Sequence, residues 1–218
     1  MTGPNDCGLL PPGAAKRSLV RRRRVIDAAR LLFADNGFHA TGIAQIAKVS
    51  QIAVGQIYRD FASKEEIVAA IVETDCGAFM RSDLLNEAVA RGDVESVRTW
   101  IHQFVDPKDK ADNGRMFVEI VAESSRNERI ARIFTTLQSE VRANLLTALS
   151  LFAPGEAMAM RRAIIADTIS VMSLGLLHHR LMHPETDFTI LVPSLVAIVD
   201  RSIADLATAG PLGQPVAA

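Results

Sequence analysis

Apolar residues recur at intervals of three and four along most of the chain, which is the spacing of one face of an α-helix. In the first such segment, about 18–36, Val25, Ala29 and Phe33 follow this spacing, and Asn36-Gly37 supplies a stop signal. Alternating polar and apolar runs, which indicate strands, are nearly absent. The pattern therefore predicts an all-α protein.

Two short helices and the start of a longer one follow this first segment. The short helices are predicted at about 42–49, with Thr41 as the candidate N-cap, and at about 53–61. Ser63 is expected to cap the next helix, because Ser63 and Glu66 have the spacing of a capping box. This is the helix-turn-helix arrangement, in which the second helix of the pair enters the major groove of DNA.

The helices predicted beyond this point are longer and more apolar. Both ends of the chain lack periodicity and are rich in Pro, Gly or Ala, so they are expected to be disordered. The predicted helices lie at about 63–91, 93–105, 115–125, 128–152, 156–182 and 188–208. The predicted domains are a tail at 1–15, a helix-turn-helix domain at 16–64, a larger helical domain at 65–208 and a tail at 209–218.

The composition is that of a soluble globular protein, with 49% hydrophobic and 22% charged residues among 218. No apolar run reaches the roughly 18 residues that a membrane span needs, and no secretory signal is recognisable. Cys7 and Cys76 provide no disulfide framework. A cytoplasmic protein without a membrane partner is therefore expected.

The formal net charge of −1 conceals an uneven distribution. Residues 16–64 contain ten basic and three acidic residues, a net charge of +7. From residue 65 onward there are fourteen basic and twenty-one acidic residues, a net charge of −7. The N-terminal part is therefore expected to bind a polyanion.

Several short motifs occur in a specific order within residues 20–70. They are VIDAARLLF at 25–33, Asn36-Gly37-Phe38, Ala40-Thr41, and the pattern G-x-x-Y-x-x-F-x-x-K from Gly55 to Lys64. This segment resembles the DNA-binding domain of TetR-type transcriptional regulators. The resemblance implies an all-helical homodimer with an N-terminal three-helix helix-turn-helix DNA-binding domain. It also implies a larger, variable helical domain for ligand binding and dimerisation.

The helix predicted at 53–61 is expected to read the DNA. Gly55 would let the backbone approach the groove, and the Gln56 amide suits adenine. By resemblance, Tyr58 would contact a phosphate, and Lys64 at a helix N-terminus would share one. The predicted DNA-binding residues are Arg21, Arg22, Arg23, Arg24, Thr41, Gln45, Gln51, Ala53, Val54, Gly55, Gln56, Tyr58, Arg59 and Lys64.

The segment departs from the family pattern at four positions. Gln51 stands where glycine is frequent, Ala53 where a serine cap is common, and Val54 where a cation is frequent. Asp60 would be repelled by phosphate, so we expect it to point aside or to pair with Arg59 or an arginine of the run 21–24. That run is expected to supply the missing positive charge by contacting phosphates or the minor groove, although a solvated helix start is the alternative.

The last two predicted helices carry apolar residues around their whole circumference. Such helices must be covered on all sides, and a second copy of the chain would cover the outer side. A two-fold dimer places two reading helices on a palindromic operator. The predicted interface residues are Ile165, Ile169, Met172, Leu176, Leu191, Leu195, Ile198 and Val199.

Aromatic residues and methionines between the two ends are candidates for a pocket that binds an apolar or aromatic small molecule, although such residues at helical spacing more often belong to the core. His179 and His183 are one helical turn apart, but we expect surface or interface histidines there rather than a metal site. No catalytic residue, metal or cofactor is predicted. The pocket candidates are Phe79, Met80, Trp100, His102, Phe104, Met116, Phe117, Ile120, Glu123, Phe134 and Met172.

Together these features predict a repressor that releases a palindromic operator when a small molecule binds the C-terminal domain. The helix that begins at Ser63 is expected to transmit the change. One alternative is a regulator or chromosome-organising protein without an effector. The other is a helical ligand-binding or enzymatic protein with a degenerate DNA-binding domain.

Overall fold

A computed structural model describes residues 12–106 and 112–208 of the chain. Within these ranges the protein is built from α-helices and one 3-10 turn, and no strand occurs there, so the predicted all-α class is confirmed. The helices are α1 Pro12–Ala40, α2 Ile43–Ser50, α3 Val54–Asp60, α4 Lys64–Met80, α5 Ser82–Arg91, α6 Val94–His102, α7 Asp112–Ser124, α8 Glu128–Ser150, α9 Ala159–Met182 and α10 Phe188–Thr208. The 3-10 turn is Glu156–Met158.

The chain forms two compact units, which divide between Glu73 and Thr74 inside α4. Of the two predicted tails, residues 1–11 and 209–218 lie outside the described part of the chain. The remaining tail residues, 12–15, belong to α1, so the first helix begins earlier than its apolar spacing predicted. None of the described helices is both long enough and apolar enough to cross a membrane.

The first unit is organised around α1, which packs against α2 and α3. Its helical geometry is interrupted at Gly37, where φ is 82° and ψ is 164°, at the predicted Asn36-Gly37 stop. The apolar faces of the helices meet in a common core, and Phe61 is part of it as its position at the end of α3 predicted. This core includes Val25, Ala29, Phe33, Ile46, Ile57, Phe61 and Ile67.

The link between α1 and α2 is fixed by Thr41, whose side chain is completely buried. Its Oγ1 donates hydrogen bonds to the carbonyl oxygens of Leu32 (3.0 Å) and Gly37 (2.9 Å). The prediction that Thr41 caps α2 was wrong, because its hydroxyl faces α1 and satisfies carbonyl groups there. Gly42 occupies the N-cap position instead, and its amide donates to Oε1 of Gln45 at 2.7 Å.

The start of α4 is fixed by both a cap and a cation. The amide of Glu66 donates to Oγ of Ser63 at 3.3 Å, as predicted for the cap, whereas the Glu66 carboxylate accepts from the amide of Ala62 and not from that of Ser63, as a capping box would have it. Nζ of Lys64 donates to the carbonyl oxygens of Phe38 (2.6 Å) and Thr41 (3.1 Å). It also lies 4.0 Å from the centroid of the Phe38 ring, so Lys64 ties α4 to the α1–α2 link.

In the second unit, α8 packs against α5, α6, α7 and α9, and α9 packs against α10. The prediction of one helix at 63–91 was wrong. Arg81 has φ 40° and ψ 52°, a left-handed conformation that separates α4 from α5. Further along the chain, Asp93 caps α6 by accepting from the Ser96 amide at 3.1 Å, and Asn127 caps α8.

We expect Lys64→Met to lower the free energy of unfolding by about 1–2 kcal/mol, because two carbonyl groups would lose a charged donor. Urea unfolding followed by circular dichroism measures this change. Lys48→Met is the matched control, since Lys48 is exposed in the last turn of α2 and should change stability by about 0.5 kcal/mol or less. Equal effects of the two substitutions would contradict the bracing role of Lys64.

Candidate nucleic-acid interface

The turn between α2 and α3 brings one face of α3 to the surface of the first unit. Gln51 ends α2 in a left-handed conformation with φ 57°, which a glycine would adopt with less strain. Ile57 is completely buried and fixes the inner face of α3. The outer face is exposed, and it consists of Ala53, Val54, Gly55, Tyr58 and Arg59, all of them predicted DNA-binding residues.

The middle of this face is open. A methyl group built on Gly55 would meet no other atom within 4 Å, so packing inside the protein does not require a glycine there. The Tyr58 side chain is 54% exposed, which is high for a large aromatic residue. Gln56 is half-buried beside them, and Nη1 of Arg59 approaches its Oε1 at 3.5 Å. This exposed face therefore leaves room for the backbone of another molecule to approach α3 closely.

The other two predicted glutamines, Gln45 and Gln51, accept hydrogen bonds within the protein through their carboxamide oxygens. Oε1 of Gln45 accepts from the Gly42 amide, and Oε1 of Gln51 accepts from Nη2 of Arg24 at 3.1 Å. Both residues are exposed. Their first role is therefore to stabilise the ends of α2, which the spacing of the sequence did not reveal.

Thr41 and Lys64 differ from the prediction that they contact DNA. The Thr41 hydroxyl is buried and bonded to α1, so a DNA contact through this side chain is ruled out in this conformation. Lys64 is half-buried, and its ammonium group is directed to the carbonyl groups at the α1–α2 link. Both residues serve the packing of the unit.

Asp60 at the end of α3 forms a bidentate ion pair with Arg21. Nε of Arg21 lies 2.5 Å from Oδ2, and Nη2 lies 2.7 Å from Oδ1. These hydrogen bonds hold the pKa of Asp60 below its usual value and raise the pKa of Arg21. The carboxylate therefore stabilises the fold at neutral pH, and this contribution is lost as the pH falls through the lowered pKa. The pair explains how an aspartate is accommodated beside the exposed face of α3.

The four arginines of the run face different directions. Arg21 and Arg22 are half-buried, and Arg22 donates through Nη1 to the backbone oxygen of Asp60. Arg23 and Arg24 are exposed, and Arg23 pairs with Asp27 on the same helix at 3.2 Å. The run is thus divided between packing and surface, which a count of charges did not predict.

Lys16 and Arg17 add two exposed cations to the surface of α1. They are absent from the predicted set, because the apolar spacing placed the start of the helix near residue 18. The i, i+7 spacing of Arg17 and Arg24 was the available signal, since it puts both on one face once the helix extends to Pro12. The exposed cations of this segment are therefore Lys16, Arg17, Arg23 and Arg24.

In the second unit the pocket candidates fall into separate groups. Phe79, Trp100 and Phe104 form one group, with ring centroids 5.1 Å apart in the Phe79–Phe104 and Trp100–Phe104 pairs. Nε1 of Trp100 donates to the carbonyl oxygen of Met80 at 2.5 Å. Phe104 is buried in the main core of the unit, and Phe79, Trp100 and Met172 pack against that core. These residues therefore belong to the core or pack directly against it.

His102 forms a hydrogen bond with a residue of α10. Its Nε2 lies 2.8 Å from Oδ1 of Asp200, which also accepts from Nη1 of Arg98 at 2.6 Å. This cluster joins α6 to α10. The imidazole therefore has a structural partner.

The remaining pocket candidates lie on α7 and α8. Met116, Ile120 and Glu123 are buried, and Oε2 of Glu123 accepts from Nε of Arg126 at 3.1 Å. The rings of Phe117 and Phe134 are 5.7 Å apart. This second group combines aromatic rings with a buried carboxylate.

The residues exposed on α9 and α10 differ from those predicted to form the dimer interface. Ile169, Leu176 and Val199 were predicted at a dimer interface, but they are buried in the unit itself, so a partner would cover none of their surface. Ile165, Met172, Leu191 and Leu195 are half-buried, and Ile198 is exposed. The large apolar residues most exposed on these two helices are Met160, Ile164, Val171, Met182, Ile190 and Ile198.

The histidines of α9 pack on one another. The rings of His179 and His183 are 4.7 Å apart, and Nδ1 of His183 lies 3.5 Å from Oε1 of Glu185. Among the described residues, no group of three or more His, Cys, Asp or Glu side chains is placed to hold a metal ion.

Comparison with known sequences finds a family match within the first unit. Residues 25–71 match the family model of bacterial regulatory proteins of the tetR family. The HTH-type transcriptional regulator UidR of Escherichia coli (strain K12) is 32% identical over 113 residues, which cover 50% of this chain and 55% of UidR. The chain thus spans about half the length of the curated relatives that it matches first.

Solved structures share the fold over nearly the whole chain. Salmonella enterica GusR is 22% identical, with a TM-score of 0.64, over 90% of this chain and 98% of GusR. The protein of the SmeT–triclosan complex is 20% identical, with a TM-score of 0.69, over 91% of this chain and 100% of its own. The likeness to the tetR family model is therefore confined to residues 25–71, within the helix-turn-helix unit. The likenesses to solved structures show that the chain shares their fold.

Proposed function

We propose that the protein is a DNA-binding repressor that uses α2 and α3 to bind a palindromic operator and responds to a small molecule. The exposed outer face of α3, open at Gly55, is the observation that carries the proposal. A short helix that follows a tight turn and presents such a face fits the major groove. The match of residues 25–71 to the tetR family model supports the same proposal.

Within this proposal, α3 and its flanks divide the work between base and phosphate contacts. Gln56 reads a base through its amide, and the methyl groups of Ala53 and Val54 contact thymine. Tyr58 and Arg59 contact the phosphate backbone. The exposed cations Lys16, Arg17, Arg23 and Arg24 add sequence-independent affinity, which should weaken as salt rises.

We propose a homodimer in which α9 and α10 of two subunits pack against each other. In support, Met160, Ile164 and Val171 follow helical spacing on the outer side of α9, and Val171 is 71% exposed. An open groove of about 230 Å³ lies beside this stripe, lined by Arg161, Ile164, Ile165, Ser202, Asp205 and Leu206. An apolar stripe of this kind is stabilised by burial against its symmetry mate.

The effector site is proposed within the second unit, around the group on α7 and α8. Phe117 and Phe134 provide aromatic surface, and the buried Glu123 provides one charged group. This chemistry suits an apolar or aromatic molecule that carries a hydrogen-bond donor. A related fold is solved in a complex with triclosan. Since α4 contributes residues to both units, it is the proposed path by which the effector weakens operator binding.

Gly55→Ala should have opposite effects on stability and on DNA binding. The free energy of unfolding should rise by about 0.5–1 kcal/mol, since alanine is the better helix former. Affinity for DNA from upstream of the protein's own gene should fall about tenfold or more, because the methyl group holds the helix away from the groove. Urea unfolding and fluorescence-anisotropy titrations at several salt concentrations measure the two effects.

Gly77→Ala is the matched control for this test. Gly77 is an exposed glycine inside α4 whose added methyl group would also meet nothing within 4 Å. The Gly77→Ala variant should gain similar stability and keep the DNA affinity of the wild type. Absence of specific, salt-sensitive binding by the wild-type protein would reject the proposed function, and full affinity of Gly55→Ala would reject the role of α3.

Val171→Glu should convert the dimer to monomers. A charge in the middle of the proposed interface weakens association by about a hundredfold or more, since it would be buried without a partner. Sedimentation equilibrium at micromolar concentration measures the change in mass. Val94→Glu, which also replaces an exposed valine in the second unit, should leave the dimer intact. A dimer that persists with Val171→Glu would place the interface elsewhere.

The effector proposal is tested by thermal shift with a panel of apolar and aromatic compounds. A true effector should raise the unfolding midpoint and weaken operator affinity, because it favours one conformation of the dimer. Glu123→Gln should reduce the shift given by compounds with a hydrogen-bond donor. Specific operator binding that no compound changes would favour the regulator without an effector.

A further inference from the structure

The helix α3 is weakly stabilised by its own residues. It has seven residues, and its N-cap, Ala53, makes no side-chain capping bond. An isolated helix of this length is unstable in water. Asp60 at its C-terminal end also opposes the helix dipole, which favours a cation at that position. The orientation of α3 must therefore come from contacts with the rest of the unit.

The contacts at the C-terminal end of α3 come from two adjacent residues of α1. Arg21 binds both carboxylate oxygens of Asp60, whose side chain is only 7% exposed. Arg22 donates to the backbone oxygen of Asp60, one of the carbonyl groups left without a partner where a helix ends. The Arg22 guanidinium also lies 4.2 Å from the centroid of the Phe61 ring. Both arginines are thus used within the first unit.

Four consecutive arginines cannot all face the same way, because successive helical residues are about 100° apart. The inner pair, Arg21 and Arg22, is half-buried against the end of α3, and the outer pair, Arg23 and Arg24, is exposed. In addition, Ser18 Oγ accepts from Nη2 of Arg21 at 3.3 Å, which helps to orient the guanidinium. The two pairs therefore have different surroundings and different chemistry.

We propose that Arg21 and Arg22 are positioning residues that clamp the C-terminal end of α3 and so set the specificity of base reading. The inference rests on the proposed DNA-binding function. The outer pair supplies phosphate affinity, whereas the inner pair fixes the angle at which Gln56 and the exposed face of α3 meet the groove. A loosened α3 would still contact phosphates, but it would discriminate less between base sequences.

The first test needs no DNA. In the free protein, Arg21→Ala should raise the hydrogen-exchange rates of the α3 amides about tenfold, because the end of the helix loses its charged partner. Arg21→Lys keeps the charge but loses the bidentate geometry, so an intermediate increase is expected. The charge-swapped protein, Arg21→Asp with Asp60→Arg, should recover most of the protection. Arg23→Ala is the control and should leave α3 exchange unchanged.

The second test measures discrimination between operator and unrelated DNA at several salt concentrations. The double variant Arg21→Ala with Asp60→Ala, which leaves no unpaired carboxylate, should reduce the ratio of the two affinities about tenfold with the same salt dependence as the wild type. Arg23→Ala should weaken both affinities alike and reduce the salt slope by about one. The charge-swapped protein should regain the discrimination.

Two results would overturn the clamp. One is unchanged α3 exchange in Arg21→Ala, and the other is a salt slope that falls in the Arg21→Ala, Asp60→Ala double variant as it does in Arg23→Ala. If the wild-type protein binds no DNA specifically, the proposed function fails, but hydrogen exchange still decides whether Arg21 holds α3. The two failures are thereby separated.

Discussion

The C-terminal end of α3, the helix proposed to read DNA, is held by an ion pair between residues 39 positions apart in the sequence, Arg21 and Asp60. The helix α3 is too short to be stable alone, and an aspartate at its C-terminal end would be unfavourable without a cation. The arginine that neutralises it lies on α1, so the N-terminal extension of α1 and the exposed face of α3 form one structural element. Charge in this region therefore serves orientation as well as attraction to a polyanion.

Two further residues of the first unit also pack within the protein at positions where a DNA contact was predicted. Thr41 and Lys64 stand at motif positions that suggest DNA contact, yet their polar atoms satisfy carbonyl groups around the α1–α2 link. Unsatisfied carbonyl groups at helix ends are costly, and a short helical domain has many of them. The surface proposed to bind nucleic acid is accordingly small, and it consists of the outer face of α3 and the exposed cations of α1.

Helical spacing was sufficient to predict the class and the helix-turn-helix, because amphipathic helices carry a strong periodic signal. The length of the last apolar segment predicted the bounds of α10, Phe188–Thr208. The break at Arg81 could not be predicted, since arginine has no preference for the left-handed conformation it adopts. The sequence likewise allowed several partners for Asp60. Choosing among them requires the direction of each arginine side chain, which depends on packing between helices that are distant in sequence.

The central claim is that DNA is bound by the first unit through α3 and the exposed cations of α1. Hydrogen–deuterium exchange with and without a specific duplex tests it directly, because protection reports where the backbone is ordered or covered by the ligand. The account predicts added protection at residues 16–24 and 43–60. Protection confined to residues beyond Thr74, with none in α3, would contradict it.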